Sequence, residues 1–204
     1  MKRTLSLCIL FIALGANALF AQAYTSDETP KKHFVSSSFF MLFNLLPNPP
    51  SFYQLNYGYR FSPKDALIVE AITWKYNAPL GIPYGPSYEQ PEERFPGYAR
   101  DYGVGLAYQR FLYKGFYSMS HAMPFYQEYR NPDKGKIGTG FMLFLTQRFS
   151  YHVKLFNNQL FVEPSVAITH WPINTNMPES FQKLENKWNN YFLFEPGLHV
   201  GIKF

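Results

Sequence analysis

The chain has 204 residues, with 19 Lys+Arg against 14 Asp+Glu and a formal net charge of +5. That is enough length for one domain with a sizeable interior, and too slight and too evenly spread a positive excess for a nucleic-acid binder. Aromatic residues make up 20% of the chain while mean hydropathy is negative at -0.23, and beyond residue 23 no apolar run reaches the roughly 18 residues of a membrane helix, which excludes a helical membrane protein.

The opening stretch MKRTLSLCILFIALGANALFAQA reads as a cleaved signal peptide over residues 1–23. Lys2 and Arg3 precede an apolar run from Leu5 to Leu19, and Ala21-Gln22-Ala23 has the small-x-small pattern of a cleavage site. The run is too short to serve as a comfortable anchor. Cys8 lies inside it without the small residues of a lipoprotein site, and it is the single cysteine. The expected exported domain, residues 24–204, therefore has no disulfide, thiol nucleophile or cysteine-bound metal.

From there the chain is read by its period of two. A first strand is expected over 33–46, closed by a short turn at LPNPPS (46–51). Next, Tyr53, Leu55, Tyr57, Tyr59 and Phe61 alternate with Gln54, Asn56, Gly58 and Arg60. Ser62-Pro63-Lys64-Asp65 is a tight turn into a third strand over 66–76. The long connection 77–101 leads to Tyr102, Val104, Leu106 and Tyr108 alternating with Gly103, Gly105, Ala107 and Gln109. Tyr113-Lys114-Gly115 turns into a fifth strand over 116–129, and a long connection over about 130–139 follows.

In FMLFLTQRFSYHVKLF the residues Phe141, Leu143, Leu145, Phe149, Tyr151, Val153 and Leu155 share a face on which only Gln147 is polar. Asn157-Asn158 turns back into Leu160, Val162, Val166 and Ile168, opposed by Glu163, Ser165 and Thr169. In the long connection 172–190, MPESFQKLENKW is expected to form a short helix starting at Pro178, with Phe181, Leu184 and Trp188 on one side. The last strand alternates Leu198, Val200, Ile202 and Phe204 with Gly197, His199, Gly201 and Lys203.

Eight strands result, tight turns at one end and longer loops at the other. One face of each strand is Leu, Val, Phe and Tyr, and the other is Gly, Ser, Gln, Asn, Arg, Glu and His. A soluble barrel would bury the apolar face and expose the polar one. Here the charged residues fit the inside and the apolar ones fit lipid, and closure is what lets strands cross lipid without orphaned backbone groups. The expected fold is all-β: an eight-stranded, up-and-down antiparallel transmembrane β-barrel with a plugged polar interior, since eight strands leave room only for side chains.

With Leu198, Val200, Ile202 and Phe204 forming an alternating final strand that ends on Phe, the mature chain resembles the small outer-membrane β-barrels of Gram-negative bacteria, of the OmpA-transmembrane, OmpX and OmpW type. The resemblance implies that these four residues are the signal read by the barrel-assembly machinery, and that the chain resides in the bacterial outer membrane among lipid and lipopolysaccharide. It is a resemblance of architecture and export signal, and implies no activity.

Strand parity places Arg60, Glu70, Arg148, Glu163, Glu195, His199 and Lys203 inside, where charges persist only when paired. The expected reading is a structural salt-bridge plug. Function then falls to the loops, where Tyr84, Tyr88, Phe95, Tyr98 and Trp188 are candidate contacts for an extracellular ligand. Two alternatives are a lipid-modifying enzyme and a narrow channel for small solutes. Lipid A hydrolysis or acyl transfer needs a nucleophile, a base and an orienting acid near the outer leaflet. Of the five histidines, His170 and His121 are the ones to test. Ser120 and His121 face opposite sides of a strand and do not pair. The His-x-Ser-Asn motif of lipid A 3-O-deacylases is missing after His170, where Trp171 and Pro172 follow. No metal-ligand spacing or phosphate loop is found, and no cofactor is expected.

Overall fold

The computed structural model describes residues 31–47, 49–81 and 90–204. The segment read as a signal peptide lies outside them, as do Tyr84 and Tyr88. The described chain is all-β: β1 (His33–Ser38), β2 (Tyr53–Arg60), β3 (Asp65–Tyr76), β4 (Tyr98–Tyr113), β5 (Phe116–Arg130), β6 (Lys136–Tyr151), β7 (Val153–Leu155), β8 (Leu160–Thr175) and β9 (Tyr191–Lys203), with one α-helix, α1 (Glu179–Glu185). Apart from β6 and β7, strands that are neighbours in sequence pair antiparallel. β1 pairs with β9 and β6 with β8, so the sheet closes into a ring. The short β7 continues β6 beyond His152 and pairs with the same β8, which makes eight positions around the ring.

Three connections are tight and lie at one end, the turn end. Ser62 Oγ accepts from the backbone N–H of Lys64 and Asp65 and donates to Asp65 Oδ2, which folds the β2–β3 turn. Lys114 and Gly115 both have positive φ, the geometry that matches the right-handed twist of a hairpin. Phe156, Asn157 and Asn158 carry the β7–β8 turn, also at positive φ. His33 and Phe204 exchange backbone hydrogen bonds at this same end.

The loop end departs from the expected boundaries. The first strand stops at Ser38, whose hydroxyl accepts from Phe40 N–H and caps a 3-10 helix over Phe39–Leu45. FFMLFNL has no alternation, so nothing in it favours one face of a sheet over the other. The long connection expected over 130–139 shrinks to 131–135, because β5 and β6 run on and Asn131 Oδ1 accepts from Gly135 N–H to close a tight loop. The helix expected after Pro178 is present as α1, with Phe181 fully buried.

Facing follows the alternation. Leu55, Tyr57 and Tyr59 stand exposed outside while Asn56 and Gly58 are buried, and Val104 and Leu106 outside are 64% and 66% exposed. The interior is polar only in part. Near the turn end an apolar layer is formed by Phe34, Ile68, Phe111, Tyr117, Met119 and Phe161. Toward the loop end lies a second, of Leu80, Met123, Phe125, Met142, Phe144 and Trp171. A third packs Phe95, Ala99, Tyr129 and Phe181 under α1. The polar plug expected throughout is a band between the first two layers. Gly103 and Gly105 admit the second layer, because a Cβ at either would meet Phe125 or Met123 side-chain atoms at 3.0 Å or less.

Candidate functional site

The interior band brings most of the ionisable residues together. Glu70 on β3 meets His121 on β5, with Oε2 and Nδ1 2.7 Å apart. On β6, Arg148 donates to Glu195 Oε1 at 2.9 Å and to Ser165 Oγ at 2.8 Å. Thr169 donates to Glu195 Oε2 at 2.6 Å, and Thr146 shares a hydrogen bond with Thr169. Gly197 makes room for this pair: a Cβ there would lie 2.4 Å from Arg148 Nη1. Beside them His152 and Glu163 lie 2.6 Å apart, and Glu163 is the register partner of His199 across β8 and β9. A cavity bounded by Ser36, Asn56, Glu70, Gln109, Glu163 and His199 has room for about one water molecule.

Arg60 and Lys203 mark the turn-end margin. The Arg60 guanidinium sits 4.8 Å from the centre of the Phe111 ring, while Lys203 Nζ donates to Asn158 Oδ1 and lies 5.7 Å from the Phe161 ring. All seven residues expected inside thus face the interior. Two more join them: His121, taken above as a candidate for lipid chemistry, and His152. The missing signal was depth, since parity assigns a face but not a height.

His170 is on the outward face near the loop end, its Nδ1 2.9 Å from the Asn190 carbonyl oxygen. His121 faces the interior and His170 the outside, so the two form no joint centre. Among the described residues no group of three or more His, Cys, Asp or Glu side chains is placed to hold a metal ion.

Two further polar features lie elsewhere. Between the second and third apolar layers, buried Asp101 accepts from Gln127 Nε2 and Trp74 Nε1, and Gln127 also bonds Tyr76 and Tyr129. On the outward face Ser120 donates to Gln147 Oε1 and Gln147 donates to Ser118, so the one polar residue in that apolar row is satisfied by its cross-strand neighbours. Gln147's break in the alternation is the sequence signal for it.

The loop candidates divide. Phe95 is turned inward, packed on Phe181 at 4.6 Å between ring centres, rather than presented as a contact. Tyr98 is half-buried with Lys75 Nζ 5.8 Å from its ring, and Trp188 is half-buried against Gly81. Beneath this cap Leu80 N–H donates to Glu185 Oε2, and burial pushes the Glu185 carboxyl up to about 7. Leu198, Val200, Ile202 and Phe204 all face outward along β9 and its end. Comparison with protein families, with curated proteins and with solved structures finds no match for this chain.

Proposed function

We propose that the chain is an outer-membrane β-barrel with its turn end in the periplasm and its loop end outside, serving envelope structure or surface interaction through its outer loops. The observation that carries this reading is the inverted exposure. The ring of strands holds Glu70, Arg148, Glu163 and Lys203 buried inside and presents Leu55, Val104, Leu106, Ile168, Val200 and Ile202 outward. In water that surface would cost about 25 cal/mol for every Å² of apolar area left exposed, whereas hydrocarbon solvates it.

The interior supports a plug over a conduit, because apolar layers lie above and below the ionic band. It also gives little support to a lipid-modifying centre. The His121 imidazole is taken up by Glu70 between those layers, and the His170 Nδ1 is engaged by the Asn190 carbonyl. The outward working surface is then the cap made by α1, residues 77–81 and 90–97.

The test is to fold the mature chain into phospholipid vesicles loaded with a small dye. Heat-dependent gel mobility with dye retained is the expected result. A chain that stays in the aqueous phase overturns the membrane reading, and rapid dye release overturns the plug. Mass spectrometry of lipid A from membranes with and without the protein is expected to show no loss or gain of an acyl chain.

A further inference from the structure

β1 is too short for the ring it closes. It pairs β2 only from Tyr59 to Asn56 and β9 only from Lys203 to His199. Above Ser38, β2 residues 53–55 and β9 residues 191–198 have no strand partner on their facing sides among the described residues. The ring therefore has a side gap in its loop-end half. The 3-10 helix Phe39–Leu45 lies across it against β9, tied to the β2 rim by two hydrogen bonds between the Asn44 amide and the Phe52 backbone, and by Ser37 Oγ donating to the Gln54 carbonyl.

This helix buries none of its own residues. Phe39, Leu42, Phe43 and Leu45 are all exposed. On the opposite rim the register of β8 and β9 slips between Ala167 and Thr169, and the adjacent Leu193 and Phe194 both stand outward. The gap also uncovers one interior charge. The Glu195 side chain is 36% exposed although it faces inward, while Arg148 beside it is 8% exposed.

We infer that the gap between β2 and β9 is a binding site for a membrane amphiphile whose acyl chain carries a hydrogen-bond donor, a hydroxyl group above all. This rests on the membrane reading. The rims continue the outward apolar belt, which suits a hydrocarbon chain lying along Phe39, Leu42 and Phe43 on one side and Leu193 and Phe194 on the other. The floor is a carboxylate at the depth of hydrocarbon. Arg148 and Thr169 each occupy one oxygen of Glu195, and a carboxylate has about four acceptor positions, so a donor arriving through the gap finds acceptors already oriented. A donor satisfied there in a low-dielectric setting gains more than it would in water. A plain chain fills the same rims but leaves the carboxylate without that donor.

The experiment is photolabelling of the full mature chain in phosphatidylcholine vesicles with a mid-chain hydroxy fatty acid bearing a diazirine, alongside its non-hydroxylated analogue. Labelled positions are mapped by mass spectrometry, and Val104 and Leu106 on the far wall serve as the internal reference for ordinary lipid contact. Labelling at 39–46 and 193–194 is expected to favour the hydroxylated probe by about tenfold over the reference, the worth of one hydrogen bond to a charged acceptor. In Glu195→Gln that preference is expected to shrink. Even labelling around the belt with no preference overturns the site and leaves the membrane reading standing. A protein–protein crosslink at these rims overturns it in favour of a second copy. Absence of labelling anywhere on the outward face removes the membrane reading and the site together.

Discussion

The turn half and the loop half of the ring are built by different means. In the turn half every strand has both neighbours, the hairpins are tight, and the ladder itself supplies closure. In the loop half β1 is missing, and three of the four register shifts occur there, at Tyr129/Arg130, Leu143/Leu145 and Ala167/Thr169. What the backbone leaves undone on that side is completed by side chains: Phe95 and Phe181 in the cap, and Asn44 and Ser37 at the gap. A closed ladder satisfies backbone groups without regard to side chain, so the turn half can hold charges inside it. An interrupted ladder depends on specific packing.

The largest expected effects should be global and come from the ionic band and the turn-end layer. Glu195→Ala leaves the Arg148 guanidinium without its carboxylate partner, and uncompensated buried charge costs about 3–5 kcal/mol. Urea unfolding of the refolded protein should show that loss across the whole transition. Phe111→Ala, at a residue 1% exposed in the turn-end layer, should cost a similar amount, about 3–5 kcal/mol. Phe181→Ala removes a ring that is equally buried, but in the cap. The expected outcome is a local loss: faster proteolysis around 77–97 with the unfolding midpoint nearly unchanged. A midpoint shift as large as that of Phe111→Ala would mean that the cap and the ring unfold as one unit.

A smaller effect separates the halves by pH. The Glu185 carboxyl has an ordinary value of 4.5 and is raised to about 7 by burial, so the folded cap favours the protonated form. Its contribution is fully present below about 4.5 and is lost as pH rises through about 7. Amide exchange in α1 should therefore be slower at pH 5 than at pH 8, while amides in the turn half show no matching change once intrinsic exchange is corrected. Glu185→Gln should remove the difference. Slower exchange in α1 at pH 8 would reverse the sign and exclude burial as the cause.

The two halves were also unequally legible. Alternation assigned Arg60, Arg148, Glu163, Glu195, His199 and Lys203 to the interior because a period of two is a local property. The register of β8 and β9 sets Glu163 opposite His199 in the structure. The Glu70–His121 contact was not legible from alternation, since it joins strands β3 and β5, which are not paired to each other but flank β4. FFMLFNL was misread as strand because high apolar content without alternation does not distinguish a buried strand from a short helix. Phe95 was misread as exposed because its cover, Phe181, comes from a loop far away in sequence.

The smallest effect tests whether tight turns set the order of the turn half. Gly115 has φ of +91°, and a Cβ there would lie 3.0 Å from the His152 carbonyl oxygen, which sits beside the Tyr151–Val153 break between β6 and β7. Gly115→Ala should cost about 1 kcal/mol through backbone strain at a positive φ. The His152 N–H donates to the Gly115 carbonyl, so the strain also bears on the point where β6 gives way to β7. A loss near that size, with exchange in α1 unchanged, is expected if the turn half carries its own stability. Faster exchange in α1 with no change in the unfolding midpoint would mean that the turn acts on the distant cap, and the division into two differently built halves would fail.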